Sequence, residues 1–163
     1  MRLRGPLKDR DRWITRGKCP IEKAMRVVGS RNAMLVMRET FYGTTRFDDF
    51  ANRVGMSPAT TSANLKALVG AGLLEQRPYQ EAGERTRNEY VLSDAGLDLM
   101  PVVFSLFQWG EKHAEAPTPL TLVHSGCDAP VRVEMRCEAG HEPSNDEIDL
   151  RVRVDGRAQQ RAR

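Results

Sequence analysis

The chain has 163 residues, 40% of them hydrophobic and 29% charged, with a formal net charge of +3. That length suits one compact domain with an appendage, or two small domains, and excludes a large two-domain enzyme. No apolar run approaches the roughly 18 residues of a membrane span and no signal-peptide core is present, so a cytoplasmic protein without membrane contact is expected. Three cysteines without an export signal argue against a disulfide framework.

Residues 1–18 form a basic arm, in which seven Lys and Arg residues face only Asp9 and Asp11, a net of +5. Residues 148–163 carry five Arg against Asp149 and Asp155, a net of +3. Both flanks suit a polyanionic partner, and the plainer reading of each is a solvated tail. Cys19-Pro20 then opens a helix in which Ile21, Ala24, Met25 and Val28 recur at spacings of three and four, ended by Gly29-Ser30. A second helix is predicted from about Arg31 to Phe41, with Met34, Leu35, Met37, Arg38 and Phe41 making it a largely buried cylinder that stops at Gly43. After a short extended link at Thr45-Arg46, Phe47, Phe50, Ala51 and Val54 mark one side of a third helix closed by Gly55.

Ser57 is placed to cap a fourth helix, Pro58 to about Gly70, because its hydroxyl accepts from a free N–H while Pro58 has none to leave unpaired. Thr61, Leu65, Leu68 and Val69 make the inner stripe. The outer face is left to Ala59, Thr60, Ser62, Ala63, Asn64 and Lys66, short or hydrogen-bonding and almost free of acid, which is unusual for a face meant only for water. "LLEQRPY" and "RTRNEYVLS" read as two strands around the turn "QEAGE", a hairpin carrying Arg77, Arg85 and Arg87, the last two on one strand and one side. Ser93 caps a long last helix, Asp94 to about Ala114, whose apolar residues cover more than one stripe and so call for a second surface, another subunit. Beyond the Pro-rich "APTP", three short extended runs are predicted at 120–123, 131–135 and 148–154.

Two helices joined by a tight turn, the second polar and acid-free, are a helix-turn-helix able to enter a major groove, and the hairpin is its wing. Thr60, Ser62 and Asn64 supply donors and acceptors for base edges or phosphates, Ser57, Ala59 and Ala63 complete the face, and Lys66 adds charge. Arg77, Arg85 and Arg87 arm the wing toward phosphates or the minor groove. A winged helix that binds another protein is the competing reading. The fold class expected is mainly α with a β-wing, a winged helix-turn-helix with a small β-rich C-terminal module. Its segments are the arm at 1–18, the DNA-binding and dimerisation domain at 19–116, the module at 117–154 and a basic tail at 155–163.

The Cys-Pro opening, the Arg-Phe-x-x-Phe entry to the third helix, the Gly-Leu-Leu turn into the wing, the Glu-Tyr-x-Leu-Ser strand exit and the Trp-Gly end of the last helix together resemble the HxlR-type winged-helix regulators, relatives of the MarR group. The likeness covers about residues 19–114. It implies a homodimer on a pseudo-palindromic double-stranded operator, usually as a repressor, with a small molecule or oxidant as a further partner. The chain departs from the family at Arg31-Asn32, where a Lys-Trp pair is common.

Cys19, at a helix start beside Lys18, sits where thiolate is favoured. The resemblance implies redox sensing there in some relatives, and a packing role is the alternative. His124-x2-Cys127 and Cys137-x3-His141, each on a Gly-containing turn, have the spacing of a tetrahedral zinc site. A metal-free ribbon is the other reading, because relatives with such a tail carry Cys-x-x-Cys at the second turn. A redox- or metal-responsive sensor gating the same DNA binding is therefore an alternative function. No Gly-x-Ser-x-Gly, phosphate loop or dinucleotide fingerprint is present, so no enzyme is expected.

Overall fold

The computed structural model describes residues 1–11, 17–114 and 116–152, so Arg12, Arg16 and the basic tail at 155–163 lie outside the described residues. In chain order the elements are β1 (Arg2–Leu3), a 3-10 turn (Gly5–Lys8), α1 (Pro20–Val28), α2 (Arg31–Phe41), α3 (Phe47–Val54), α4 (Pro58–Gly70), β2 (Leu74–Tyr79), β3 (Arg87–Leu92), α5 (Asp94–Leu97), α6 (Met100–His113) and β4 (Asp149–Leu150). No helix among the described residues is long and apolar enough to cross a membrane.

The chain divides into two compact units, residues 19–133 and residues 1–18 with 134–163. In the larger unit α2 runs through the middle, its Ala33, Val36 and Met37 packed with Phe50 of α3, Leu65 and Leu68 of α4, Leu74 and Tyr90 of the hairpin and Val103 of α6. The rings of Phe50 and Tyr90 meet edge to face, centroids 6.3 Å apart, an arrangement that adds to the burial both rings contribute. Local chemistry sets the boundaries. Ser30 Oγ accepts from Ala33 N at 3.1 Å at the start of α2, and Gly55, at φ +72°, closes α3 in the left-handed region that a side chain would resist. β2 and β3 are antiparallel, Leu74 opposite Leu92 and Tyr79 opposite Arg87. Tyr90 N donates to Thr45 O at 2.8 Å, and Arg46 bridges Glu89, so the link before α3 is stitched to the wing.

Three expectations change. The predicted helix from Asp94 to Ala114 is broken at Asp98-Leu99 into α5 and α6, because Pro101 has no N–H for the Leu97 carbonyl and its ring crowds that carbonyl. Arg85 precedes β3 and lies in the loop, so it does not share a strand with Arg87. The tail is barely sheet-like: the only pairing among its described residues in the larger unit is a bridge between Val123 and Pro130. There Val131 N donates to Leu122 O at 2.8 Å, and a side chain holds residues 131–133 as well. Gln108 Nε2 donates to Val131 O at 2.7 Å and Val133 N donates to Gln108 Oε1 at 3.0 Å, the amide standing in for a strand's donor and acceptor.

The smaller unit holds the start of the chain against residues 146–150. β1 and β4 pair in parallel, Arg2 with Asp149 and Leu3 with Leu150. Arg4 Nε lies 3.0 Å from Asp149 Oδ2, Arg2 Nε donates to Asp146 O at 2.7 Å, and Leu7 is buried. The start of the basic arm is thus held by an acidic segment and is not a solvated tail. Arg4 and Arg151, both bonded to Asp149, hold its carboxyl below the usual carboxylate range, Arg151 the larger cause. The division between the two units falls at 133/134.

Candidate nucleic-acid interface

α3 and α4 are joined by Gly55, Met56 and Ser57, with Met56 N donating to Ala51 O at 2.9 Å. Ser57 caps α4 as its position predicts: its Oγ accepts from Thr60 N at 3.2 Å and lies 2.9 Å from Thr60 Oγ1. Pro58 occupies the first helical position. Thr61, Leu65 and Leu68 are buried, which anchors one side of α4. On the other side Ser57, Ala59, Ser62, Ala63 and Lys66 are exposed, while Thr60 and Asn64 are half-buried. No acidic residue occurs in α4.

Asn64 Nδ2 donates to Thr60 O at 2.9 Å. That bond within the helix fixes the amide while leaving Oδ1 and the second N–H for an outside partner. The face is therefore a shallow surface of methyls, hydroxyls and one amide flanked by a cation, chemistry that matches thymine methyls and base-edge donors and acceptors.

The wing is electrically different from its sequence reading. Over residues 73–93 three Arg stand against four Glu, a net of −1. Arg77 lies 3.1 Å from Glu75, two residues away on the same face. Arg87 lies 3.6 Å from Glu84 and 4.0 Å from Asp48. Arg85 is exposed in the loop and has no ion-pair partner among the described residues. Sequence reasoning missed Arg46: its guanidinium stacks 3.2 Å from the centroid of the Tyr79 ring and reaches Glu81 at 3.4 Å, at the root of the wing. The only signal for it was its place in the Arg-Phe-x-x-Phe motif.

The tail ligands divide between the units. His124 Nδ1 lies 3.3 Å from Cys127 Sγ in the larger unit. In the smaller one Cys137 N donates to His141 O at 3.0 Å. Among the described residues no three His, Cys, Asp or Glu side chains gather closely enough to hold a metal ion. Cys19 is half-buried at the N-cap of α1, and Cys127 and Cys137 are exposed free thiols.

A capped, acid-free helix set on a second helix and followed by a two-stranded wing defines a winged helix-turn-helix protein of the DNA-binding class. The HxlR-like helix-turn-helix family matches over residues 27–118, more than half of the chain, and the chain belongs to that family of transcriptional regulators. It is 37% identical over 109 residues to an HTH-type transcriptional regulator of Mycobacterium tuberculosis, covering 66% of this chain and 68% of the relative. PA1607, a candidate transcription factor of known structure, superposes with a TM-score of 0.72 at 29% identity, over 87% of this chain and 97% of that one. PA1374 of Pseudomonas aeruginosa superposes with a TM-score of 0.59, also at 29% identity, over 88% of this chain and 99% of that one. These shares exceed the span of the family match, so the likeness extends into the terminal segments.

Proposed function

We propose that the protein is a homodimeric repressor that reads a two-half-site operator with α4. The observation that carries the reading is the acid-free outer face of α4, whose Ala59, Thr60, Ser62, Ala63 and Asn64 offer groove-reading chemistry at the point where a helix-turn-helix presents it. Dimerisation is supported by the apolar side chains that the chain leaves in water. Ile21 and Met25 of α1 are 72% and 57% exposed, and Leu106 and Trp109 of α6 are 54% and 64% exposed. Residues of that size left exposed on two helices of one unit support an association surface. A symmetric pair would set two recognition helices on half-sites about one helical turn apart. A repressor occupying a promoter in this way acts in the cytoplasm, where the chromosome is, and needs no cofactor to bind.

The test starts from fragments selected out of genomic DNA by the purified full chain. Ala63→Glu places a carboxylate against the phosphates and groove edges and should abolish selection, while the fold, read by circular dichroism, stays intact. Duplex affinity should fall steeply with salt as phosphate contacts release counterions. Unchanged selection by Ala63→Glu, or affinity indifferent to salt, would favour a winged helix that binds protein. Transcription in vitro from a selected promoter should decline as protein is added, and a rise would make the protein an activator.

A further inference from the structure

The core holds the wing at its base, where Leu74 and Tyr90 are buried, whereas residues 80–88 at the far end are exposed. A hairpin of two strands is marginal by itself. What happens at its last pair before the loop, Tyr79 opposite Arg87, therefore decides where the loop points. Arg46 acts there from outside the hairpin. Its backbone bridges Glu89, which in turn lies opposite Arg77. Residues directly opposite one another share a face, so the Arg46 side chain is on the face that carries Arg77, Tyr79 and Arg87. From that position it reaches diagonally across β3. Its guanidinium carbon is 3.2 Å from the centroid of the Tyr79 ring, and Nη2 lies 3.4 Å from Glu81 in the loop. One residue of the link before α3 thus touches both strands and the loop.

Stability alone does not account for a guanidinium in that place. Its Nη1 is buried and has no acceptor among the described residues, a cost that a hydrocarbon side chain would avoid. What the planar cation supplies is orientation: lying over a ring face and tied to a carboxylate, it fixes the attitude of both. We propose that Arg46 is a positioning residue for the DNA contact. By clamping Tyr79 and Glu81 it sets the angle of the wing, and so brings Arg85 of the loop against a backbone phosphate of the duplex. The proposal rests on the DNA-binding reading above and adds to it a residue that acts through the wing. Arg85 suits its part because it is exposed and has no ion-pair partner among the described residues, whereas Arg77 and Arg87 lie within reach of carboxylates.

A double-mutant cycle tests it, with the purified full chain and a duplex taken from the selected fragments, read across a salt series. In the parent chain Arg85→Ala should weaken binding about fivefold and flatten the slope of log affinity on log salt by about 1 per wing, as one phosphate contact is lost. Arg46→Met should cost about as much, and Arg85→Ala added to it should cost less than about twofold further, because the contact is already gone. Two more variants separate position from charge. Tyr79→Leu removes the ring, leaves the Arg46 cation in place and should reproduce the loss, while Tyr79→Phe keeps the ring and should bind as the parent does. Neither alters a charge or the backbone bonds at Thr45 and Arg46, so this pair decides the matter if Arg46→Met disturbs the fold. Preference for the selected duplex over a shuffled one, which α4 sets, should survive in every variant, and its loss in Tyr79→Leu would make the effect a general disturbance and overturn the proposal. Additive losses in the cycle would overturn it as well. So would full affinity in Tyr79→Leu, which would make Arg46 a direct phosphate contact. A parent chain with no salt-dependent duplex affinity would instead remove the DNA-binding reading, and this proposal with it.

Discussion

Gly96→Ala is a substitution for which local and tertiary physics give opposite signs. Gly96 lies in the single turn of α5, its N–H donating to the Ser93 hydroxyl at 3.1 Å. By helix propensity alone, alanine there should stabilise by up to about 1 kcal/mol. In the folded chain a Cβ at this position would stand 2.2 Å from the Leu73 carbonyl oxygen, 3.2 Å from its carbon and 3.1 Å from Leu92 Cδ2. The first of these is about 1 Å inside ordinary C···O contact. The carbonyl cannot easily retreat, because it accepts from Ser93 N while Leu73 N donates to Leu68 O at 3.0 Å. Ser93 Oγ also donates to Gly72 O at 2.5 Å, pinning the same turn. Overpacking of this kind costs about 1–3 kcal/mol, so the net effect should be a loss near 2 kcal/mol, or roughly 6 °C in midpoint. Urea unfolding at fixed protein concentration measures it, with Gly110→Ala as the control. Gly110 is inside α6 and a Cβ there meets nothing within 4 Å, so that variant should gain up to about 1 kcal/mol. Gly96→Ala as stable as the parent chain would refute the close packing of α5 on the turn before β2.

Trp109→Glu should convert the proposed dimer to monomers in sedimentation and cost the cooperative part of operator binding, while an intact dimer would remove α6 from the proposed interface. The arm-to-tail pairing should be acid-sensitive. The Asp149 carboxyl is depressed in the folded chain, so its contribution is present above the ordinary carboxylate range and is lost as pH falls through the lowered value. Protection of the Arg4 amide, which donates to Leu150 O, relative to its intrinsic exchange rate should therefore fall at low pH, and in Asp149→Asn it should be low at every pH. Full chain dialysed against a chelator under reducing conditions should hold substoichiometric zinc, since His124 and Cys127 alone make a two-ligand site. One tightly held equivalent, lost in Cys137→Ser, would instead mean that both ligand pairs gather on one ion.

The helix-turn-helix was readable because its signals are local. Gly55 supplies a left-handed stop, Ser57 a cap and Pro58 a first position, and each acts within a few residues, so α4 begins where the sequence puts it. The inner stripe of α4 followed from periodicity, and Thr61 sits in it because its hydroxyl finds the Ser57 carbonyl at 3.0 Å. The break before α6 was equally local, but the apolar pattern running across Pro101 masked it. The rest depended on partners far along the chain. Nothing near 131–133 announces that a glutamine side chain on α6 holds it, and nothing in the basic arm announces that Asp146 and Asp149 hold it. The wing misleads for a related reason: in sequence its arginines read as a basic arm, whereas Glu75, Glu84 and Asp48 lie within ion-pair reach of two of them.

How α4 is aimed rests on a polar feature of the core. Glu39 of α2 is buried, and its two carboxylate oxygens point opposite ways: Oε1 to Arg38, and Oε2 accepting from the Thr44 hydroxyl at 3.3 Å. Thr44, itself fully buried, accepts from Arg53 Nη1 at 2.7 Å, and Arg53 Nη2 lies 3.8 Å from Asp49 on the same helix. The chain of bonds runs from α2 through the turn that precedes α3 and ends on α3. Taking a carboxylate out of water costs several kcal/mol, which its partners repay only in good geometry, so the network is weak evidence for stability. Its directional bonds do what apolar contact cannot. Phe50 and Val54 would tolerate a rolling of α3 over Met37, whereas the Thr44–Arg53 bond tolerates little. Because α4 follows α3 after only three residues, the angle fixed at Thr44 is passed to the face that carries Thr60, Ser62 and Asn64.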